Sequence, residues 1–340
     1  MMVTYIRSSS YGNYDYCQMQ YFLCYVLGHQ SPSGKKAQLG TMVHKVMECL
    51  ASCKKHLQDH PDEKTMTITD DALGEIEFTK RKLYTKKFVD DLLKRSYEWY
   101  QKDCIHKYFP ADLKFCKTQI ENALDYNDGQ FDPRKRNIVA TEPTFDILIE
   151  EDWAKYDYQL PDGNRAKGQL AIKGTVDLIT EVDDSIIEVV DWKTGQRKNW
   201  ATGEIKTYEK LLDDAQLLLY NYAISKLYPD YDQSIMSIFF TRDGGPFSMC
   251  FDKSDEDRFL GMLKKRFEEI QRNHKPQPVD PRRWDFRCKR LCHFCKNNWP
   301  GTNKNMCEYV EEKLHTIGYD QTLKECTVEG FDVGFYSPPG

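Results

Sequence analysis

No stretch of the 340 residues is apolar for long enough to span a bilayer, so a helical membrane anchor is not expected. The first residues, Met1-Met2-Val3-Thr4-Tyr5, lack the basic start, apolar run and small-residue cleavage site of a secretory signal. An intracellular, cytoplasmic protein is the expectation. There is no internal repeat and no low-complexity tract, which excludes a solenoid and a compositionally biased linker. Charge of one sign is missing too. The formal net charge is -5, so no global field marks nucleic acid as a partner. Basic residues cluster locally instead, at Lys80-Arg81-Lys82, at Arg134-Lys135-Arg136, and from Arg282 to Lys304. Each cluster is equally readable as a solvated face.

Aromatics are plentiful, with 21 Tyr and 17 Phe, and a sizeable core is within reach. The 12 cysteines, in a reducing compartment, read as thiols or metal ligands rather than disulfides. Hydrophobic periodicity divides the chain. Helix is expected from about Tyr14 to Gly28, over residues 37 to 58, from Asp70 to about Lys107, and over 112 to 126. From Asn137 the pattern turns to strands, at Ile138–Ile149, Tyr156–Leu160, Gln169–Ile179 and Ser185–Lys193. A helix is expected over Thr207–Leu227. Strands at Ile235–Thr241 and Phe247–Phe251 follow, with Gly244-Gly245 as their turn, and then a helix to about Asn273. The expected fold is α/β, a mixed sheet flanked by helices. It has a helical region over 1–136, a core over 137–275, a cysteine-rich segment over 276–317 and a loosely docked tail over 318–340.

The chemistry gathers around Gly174-Thr175-Val176-Asp177 and Asp191-Trp192-Lys193. An Asp183-Asp184-Ser185 turn joins two alternating runs into a hairpin. Asp191 and Lys193 are two apart on a strand and share a face, which Asp177 can approach from the neighbouring strand. Two carboxylates and a lysine on one face suit a divalent metal that activates water. The same D-x-K alone also describes a strand with a surface ion pair. Gln216 and Tyr220 are one helical turn apart, as are Gly40 and His44. A glycine inside a helix costs about 1 kcal/mol against alanine, so Gly40 invites a reason, such as close backbone approach or a metal site. Near the end, Cys288, Cys292, Cys295 and Cys307 lie close in sequence, with C-x-x-C spacing in the middle. These four form a self-contained zinc knot, or three of them take Cys17 as a distant fourth ligand.

In this order, Gly40-x-x-x-His44, Gly174-Thr175-Val176-Asp177, Asp191-Trp192-Lys193-Thr194-Gly195 and Gln216-x-x-x-Tyr220 resemble the RecB-like branch of the PD-(D/E)XK nuclease superfamily. The split pattern of Cys17 with Cys292-x-x-Cys295 and Cys307 is similar to its iron–sulfur members, AddB-type nuclease domains and CRISPR-associated exonucleases. The resemblance covers about residues 8 to 307. It implies a restriction-endonuclease-like core and Mg²⁺- or Mn²⁺-dependent cleavage of DNA, as an exonuclease in recombination, repair or processing. By position, His44, Asp177 and Asp191 would hold the metal together with the Trp192 carbonyl. Lys193 would orient or help deprotonate the attacking water and stabilise charge on the phosphate. Gln216 and Tyr220 would support the lysine and the DNA backbone, and Glu142 is a weaker acidic candidate. The resemblance implies a [4Fe–4S] cluster on Cys17, Cys292, Cys295 and Cys307, with Zn²⁺ on Cys288, Cys292, Cys295 and Cys307 as the alternative. The Cys295–Cys307 interval is longer than usual in the family, and Cys288 is an extra thiol. No P-loop motif is present. The nuclease therefore stands alone, like phage-encoded or CRISPR-associated exonucleases, or receives DNA from a separate helicase or recombination protein. The alternatives are an inactive nuclease-fold DNA-binding or scaffolding subunit, and a zinc-knot interaction protein.

Overall fold

The computed structural model describes residues 1–102, 106–160, 163–198, 203–243 and 245–331. The expected turn glycine Gly244, the Pro161-Asp162 turn, the segment before Lys107 and the last part of the expected tail lie outside or partly outside these residues. The protein is mixed α/β, and its chain divides into two compact units. One comprises Met1–Pro32, Phe145–Gly174 and Glu256–Gly340; the other comprises Ser33–Thr144 and Thr175–Asp255. Among the described residues no helix is long and apolar enough to cross a membrane.

The Ser33–Asp255 unit is built on a five-stranded mixed sheet. Its spatial order is Gly245–Phe251, Gln233–Phe240, Ile186–Lys193, Leu178–Asp183, Asn137–Thr141. Ile186–Lys193 runs parallel to Gln233–Phe240 and antiparallel to Leu178–Asp183. Its sequence, IIEVVDWK, is buried almost throughout, as befits a strand covered on both faces. Val190 and Trp192 join the core under the Lys35–Asp59 helix, with Met42, Val43, Val46 and Met47. Strand alternation then turns Asp191 and Lys193 to the opposite face, where Gln216 of the Ala215–Leu227 helix reaches Asp191. Glu188, on the core side, is satisfied by Arg136 and by the Ser237 hydroxyl.

Several boundaries differ from the sequence-based expectation. The helix expected from Asp70 is preceded by an antiparallel hairpin, Met66–Asp70 with Gly74–Phe78. Its strands alternate in the period of a sheet, and Gly74 takes φ +69° in the turn. Helix follows as a short piece at Lys80–Leu83 and then Lys86–Lys102. The strand expected over Ile138–Ile149 breaks into Asn137–Thr141 and Thr144–Leu148, on different sheets, at Glu142 and Pro143. The run Gln169–Ile179 likewise breaks into Ala171–Thr175 and Leu178–Asp183. The helix expected over Thr207–Leu227 divides into Tyr208–Leu212 and Ala215–Leu227, because the Asp214 carboxylate caps the second by accepting from the Gln216 N–H.

In the other unit, Tyr5–Arg7, Ala171–Thr175 and Thr144–Leu148 form a three-stranded sheet, and Lys155–Gln159 pairs with Arg165–Gln169. The expected first helix is three pieces. Ser8–Tyr16 ends where Cys17 turns extended, and Gln18–Tyr21 continues into a wider turn at Phe22–Val26. The segment expected as a loose tail opens with a helix, Gly318–Cys326, whose Leu323 and Cys326 are buried.

Candidate active site and cysteine cluster

The sheet register pairs Val190 with Leu178, so Asp191 and Asp177 fall just past that pair, at one sheet end. Asp177 is placed before its strand begins, and its Oδ2 accepts the Trp192 N–H at 2.8 Å. Its Oδ1 lies 3.2 Å from Nδ1 of His44, on the Lys35–Asp59 helix. Asp191, only 3% exposed, accepts at Oδ1 from Lys193 Nζ at 2.9 Å and from Gln216 Nε2 at 3.1 Å. Gln216 Nε2 also donates to Tyr220 Oη at 2.9 Å, and Tyr220 donates to the Thr175 carbonyl at 3.0 Å. The structure thus brings together His44, Asp177, Asp191, Lys193, Gln216 and Tyr220. The Trp192 side chain is in the core, and its backbone meets the site.

Gly40 has a steric reason. A Cβ there would sit 2.7 Å from Oγ1 of Thr194, the residue after Lys193. The glycine lets the helix that carries His44 approach the end of the strand that carries Lys193.

Burial pushes the Asp191 carboxyl up against the pull of Lys193, and the charge of Asp177 adds to the rise. Burial acts on Asp177 in the same sense, yet His44, Lys193 and the Trp192 N–H outweigh it and hold it below the usual carboxylate range. Burial would lower His44, but Asp177 and then Asp191 raise it above its ordinary value. Lys193 is desolvated too, and Asp191 nonetheless holds it above the usual lysine value. Without metal the site is therefore two carboxylates compensated by a lysine cation and a proton-favouring histidine.

Glu142 adjoins this pair. It takes φ +43°, a costly conformation for a side chain of its size, and its N–H donates to the Asp177 carbonyl at 3.1 Å. Its carboxyl is pushed up to about 7 by burial, with Glu48 and Asp177 adding. Glu48 is an acid that the sequence motifs do not single out. It is raised by burial, and Lys45 Nζ lies 2.5 Å from an oxygen that makes no hydrogen bond. A signal for it exists nonetheless: Gly40, His44 and Glu48 recur at four-residue intervals on one helix.

The thiols converge separately. Cys17, Cys288, Cys292, Cys295 and Cys307 line one cavity within their own unit. Cys295 is close enough to Cys292 and Cys307, and Cys288 to Cys295, for each to shift the other's titration. Cys17 lies near enough to feel the charge of Cys307 and Cys292. It sits at the helix break, where its Sγ accepts from the Gln20 N–H at 3.4 Å. The Cys295 thiol, together with the Cys295 and Phe294 N–H groups, brings Cys292 down to about 6. Cys307, beside Arg283, is also held low, first through Cys295. The 11 described cysteines are all free.

Among the described residues, no three His, Cys, Asp or Glu side chains already stand as a preformed shell for one ion. The donor chemistry nonetheless fits. Asp191 Oδ2 is buried and makes no hydrogen bond, although Lys193 Nζ lies 2.7 Å away and out of line. Such an oxygen, beside a second carboxylate and an imidazole, suits Mg²⁺ or Mn²⁺. Five thiols around one cavity, Cys292 and Cys307 held low while Cys17, Cys288 and Cys295 are pushed up, suit a thiolate-bound centre.

The family model of the PD-(D/E)XK nuclease superfamily matches residues 8–299, and the chain belongs to that superfamily. The match spans every residue of the carboxylate site. No curated protein matches the chain. Among solved structures, one from Eubacterium rectale described as “Putative exonuclease” is 12% identical, with a TM-score of 0.45. That alignment covers 87% of this chain and 88% of the other. The structure of SSO0001 is 14% identical over 73% of this chain and 96% of its own, with a TM-score of 0.24. Membership rests on the family match.

Proposed function

We propose that the protein is a divalent-metal-dependent deoxyribonuclease, an exonuclease that hydrolyses phosphodiester bonds. The observation that carries this reading is the connected set at one sheet end, in a chain of a nuclease superfamily. His44, Asp177, Asp191 and the Trp192 carbonyl would hold Mg²⁺ or Mn²⁺, which when bound lowers the pKa of water and polarises the phosphate. Lys193 remains a cation beside Asp191. It is better suited to stabilising charge that develops on the phosphoryl oxygens than to removing a proton. Gln216 fixes the rotation of the Asp191 carboxylate, and Tyr220 anchors Gln216 through the Thr175 carbonyl. Glu142 and Glu48 add acidic groups whose burial is relieved by a cation.

For the thiols we assign a [4Fe–4S] cluster on Cys17, Cys292, Cys295 and Cys307, with a structural role of tying the first residues to the last segment. Zinc on Cys288, Cys292, Cys295 and Cys307 is the second reading, favoured by the place of Cys288 in the same cavity lining. Anaerobic purification separates them, since the iron–sulfur protein is brown and the zinc protein colourless. A thiolate centre suits a reducing compartment, so the protein acts inside the cell, alone or with a helicase or recombination partner.

The direct test is digestion of end-labelled single- and double-stranded DNA with Mg²⁺ or Mn²⁺. Progressive loss from one end, absent in Asp191→Ala, is expected. A folded wild-type chain that leaves both substrates intact would overturn the reading in favour of a binding subunit.

A further inference from the structure

The segment just before the cysteines carries the two most exposed large hydrophobic side chains among the described residues. Trp284 is 66% exposed and Phe286 62%, and Leu291 follows at 55%. Three such residues in so short a stretch are costly unless something covers them. They are not on a floppy loop. The Asp280 carboxylate accepts the Arg282 N–H at 3.0 Å, the Trp284 N–H at 2.6 Å and the Asp285 N–H at 2.8 Å. Arg283 ties the loop to Glu311 and to the Cys307 sulfur, and Arg287 forks onto Asp285. The aromatics are therefore held outward by a built turn.

The charge around them is predominantly positive, set against the Asp280 carboxylate of the turn. Arg283 and Arg287 are neutralised within the segment, whereas Arg282, Lys289, Arg290 and Lys296 are exposed and have no carboxylate partner among the described residues. The Arg282 guanidinium lies 5.4 Å from the Trp284 ring centre. Flat aromatic faces two residues apart, flanked by unpaired cations, complement a polyanion with exposed π faces. A duplex hides its base faces in the stack, and single strands present them.

We propose that this surface binds single-stranded DNA, with unpaired bases stacked on Trp284 and Phe286 and phosphates met by Arg282, Lys289, Arg290 and Lys296. The inference rests on the proposed function only in taking DNA as the ligand. It concerns binding and requires no cleavage.

The test is fluorescence anisotropy of the full chain with labelled oligothymidylate and with a duplex of equal length, in buffer without Mg²⁺ or Mn²⁺. Thermal unfolding and visible absorbance verify that each variant keeps its fold and its metal centre. Trp284→Ala/Phe286→Ala is expected to lose about ten-fold or more in single-strand affinity and to change duplex affinity little. Lys289→Glu/Arg290→Glu is expected to flatten the salt dependence of single-strand binding by roughly one unit or more in log–log slope. Unchanged single-strand affinity in the aromatic variant would overturn the proposal. Equal losses on single strand and duplex would also overturn it, as would a charge variant with unaltered slope. Because no divalent metal is present, a chain that never cleaves DNA still binds or fails to bind the oligonucleotides, so the two readings fail independently.

Discussion

The carboxylate site and the cysteine cluster, the two metal sites proposed above, differ in donor chemistry and in the backbone that presents the donors. The first uses hard oxygens and one imidazole of one unit, from a helix at His44, a strand at Asp191 and the bend before a strand at Asp177, each with a hydrogen-bond or ion-pair neighbour. The second uses soft sulfurs gathered at helix ends, namely a helix break at Cys17, a short helix start at Cys292, and the first turn of Met306–Thr316 at Cys307. Lys193 and His44 offset the repulsion between the two carboxylates. The thiols lie against one another. On the proposed reading the first site would take up and release its cation reversibly, as turnover needs. A site of the second kind gains order from what it binds, as a structural centre needs.

Substitutions can break this contrast, and the largest effect belongs to the oxygens. Asp191→Ala and Asp177→Ala should abolish cleavage, and Lys193→Ala should reduce it by roughly 10²–10³-fold, in protein that still folds as judged by circular dichroism. Comparable activity in any of the three, measured on end-labelled DNA, would rule the site out as catalytic. Next, Cys17→Ser should strip the thiolate centre and lower thermal stability, while Cys288→Ser leaves both intact. Iron and zinc analysis of the two purified variants reads this directly, and the reverse pattern would favour zinc on the four local cysteines.

A smaller effect sharpens the electrostatic side. Glu142 has a folded pKa of about 7 against an ordinary 4.5, so the native chain retains a proton that the unfolded chain has released. Its contribution to stability is therefore lost as pH rises between those values. Without divalent metal, Glu142→Gln should match wild type near pH 4.5 in urea unfolding and exceed it at pH 8. A variant destabilised equally at both would contradict the burial argument. Smallest is Asn305→Ala, which removes the side chain that accepts the Glu308 N–H at 2.9 Å and starts the helix bearing Cys307. It should cost about 1 kcal/mol in the same unfolding measurement.

What the sequence disclosed follows the same division. Local patterns carried far. The Asp183-Asp184-Ser185 turn and its alternating flanks gave the hairpin, and the i, i+2 and i, i+4 spacings placed Asp191 with Lys193 and Gln216 with Tyr220. The mixed α/β class and its flanking helices were legible for the same reason. Events set by tertiary context were not. Glu142 adopts a positive φ that no local rule assigns to glutamate, and that kink sends Thr144–Leu148 to a different sheet. Cys17 breaks a helix that its aromatic periodicity would have continued. The Met66–Phe78 hairpin was hidden because its few apolar residues merged with the helical pattern that follows. Glu48 went unread since an acid on a charged helix resembles any solvated residue until His44 and Glu142 are placed beside it.

The central claim is that hard-metal binding belongs to the carboxylates and not to the thiols. Mn²⁺ titration followed by electron paramagnetic resonance tests it most directly, using wild type, Asp177→Asn/Asp191→Asn and Cys292→Ser. Saturable Mn²⁺ binding is predicted in wild type, lost in the carboxylate variant and retained in the cysteine variant. Binding that survives the loss of both carboxylates, or that vanishes with Cys292, would contradict it.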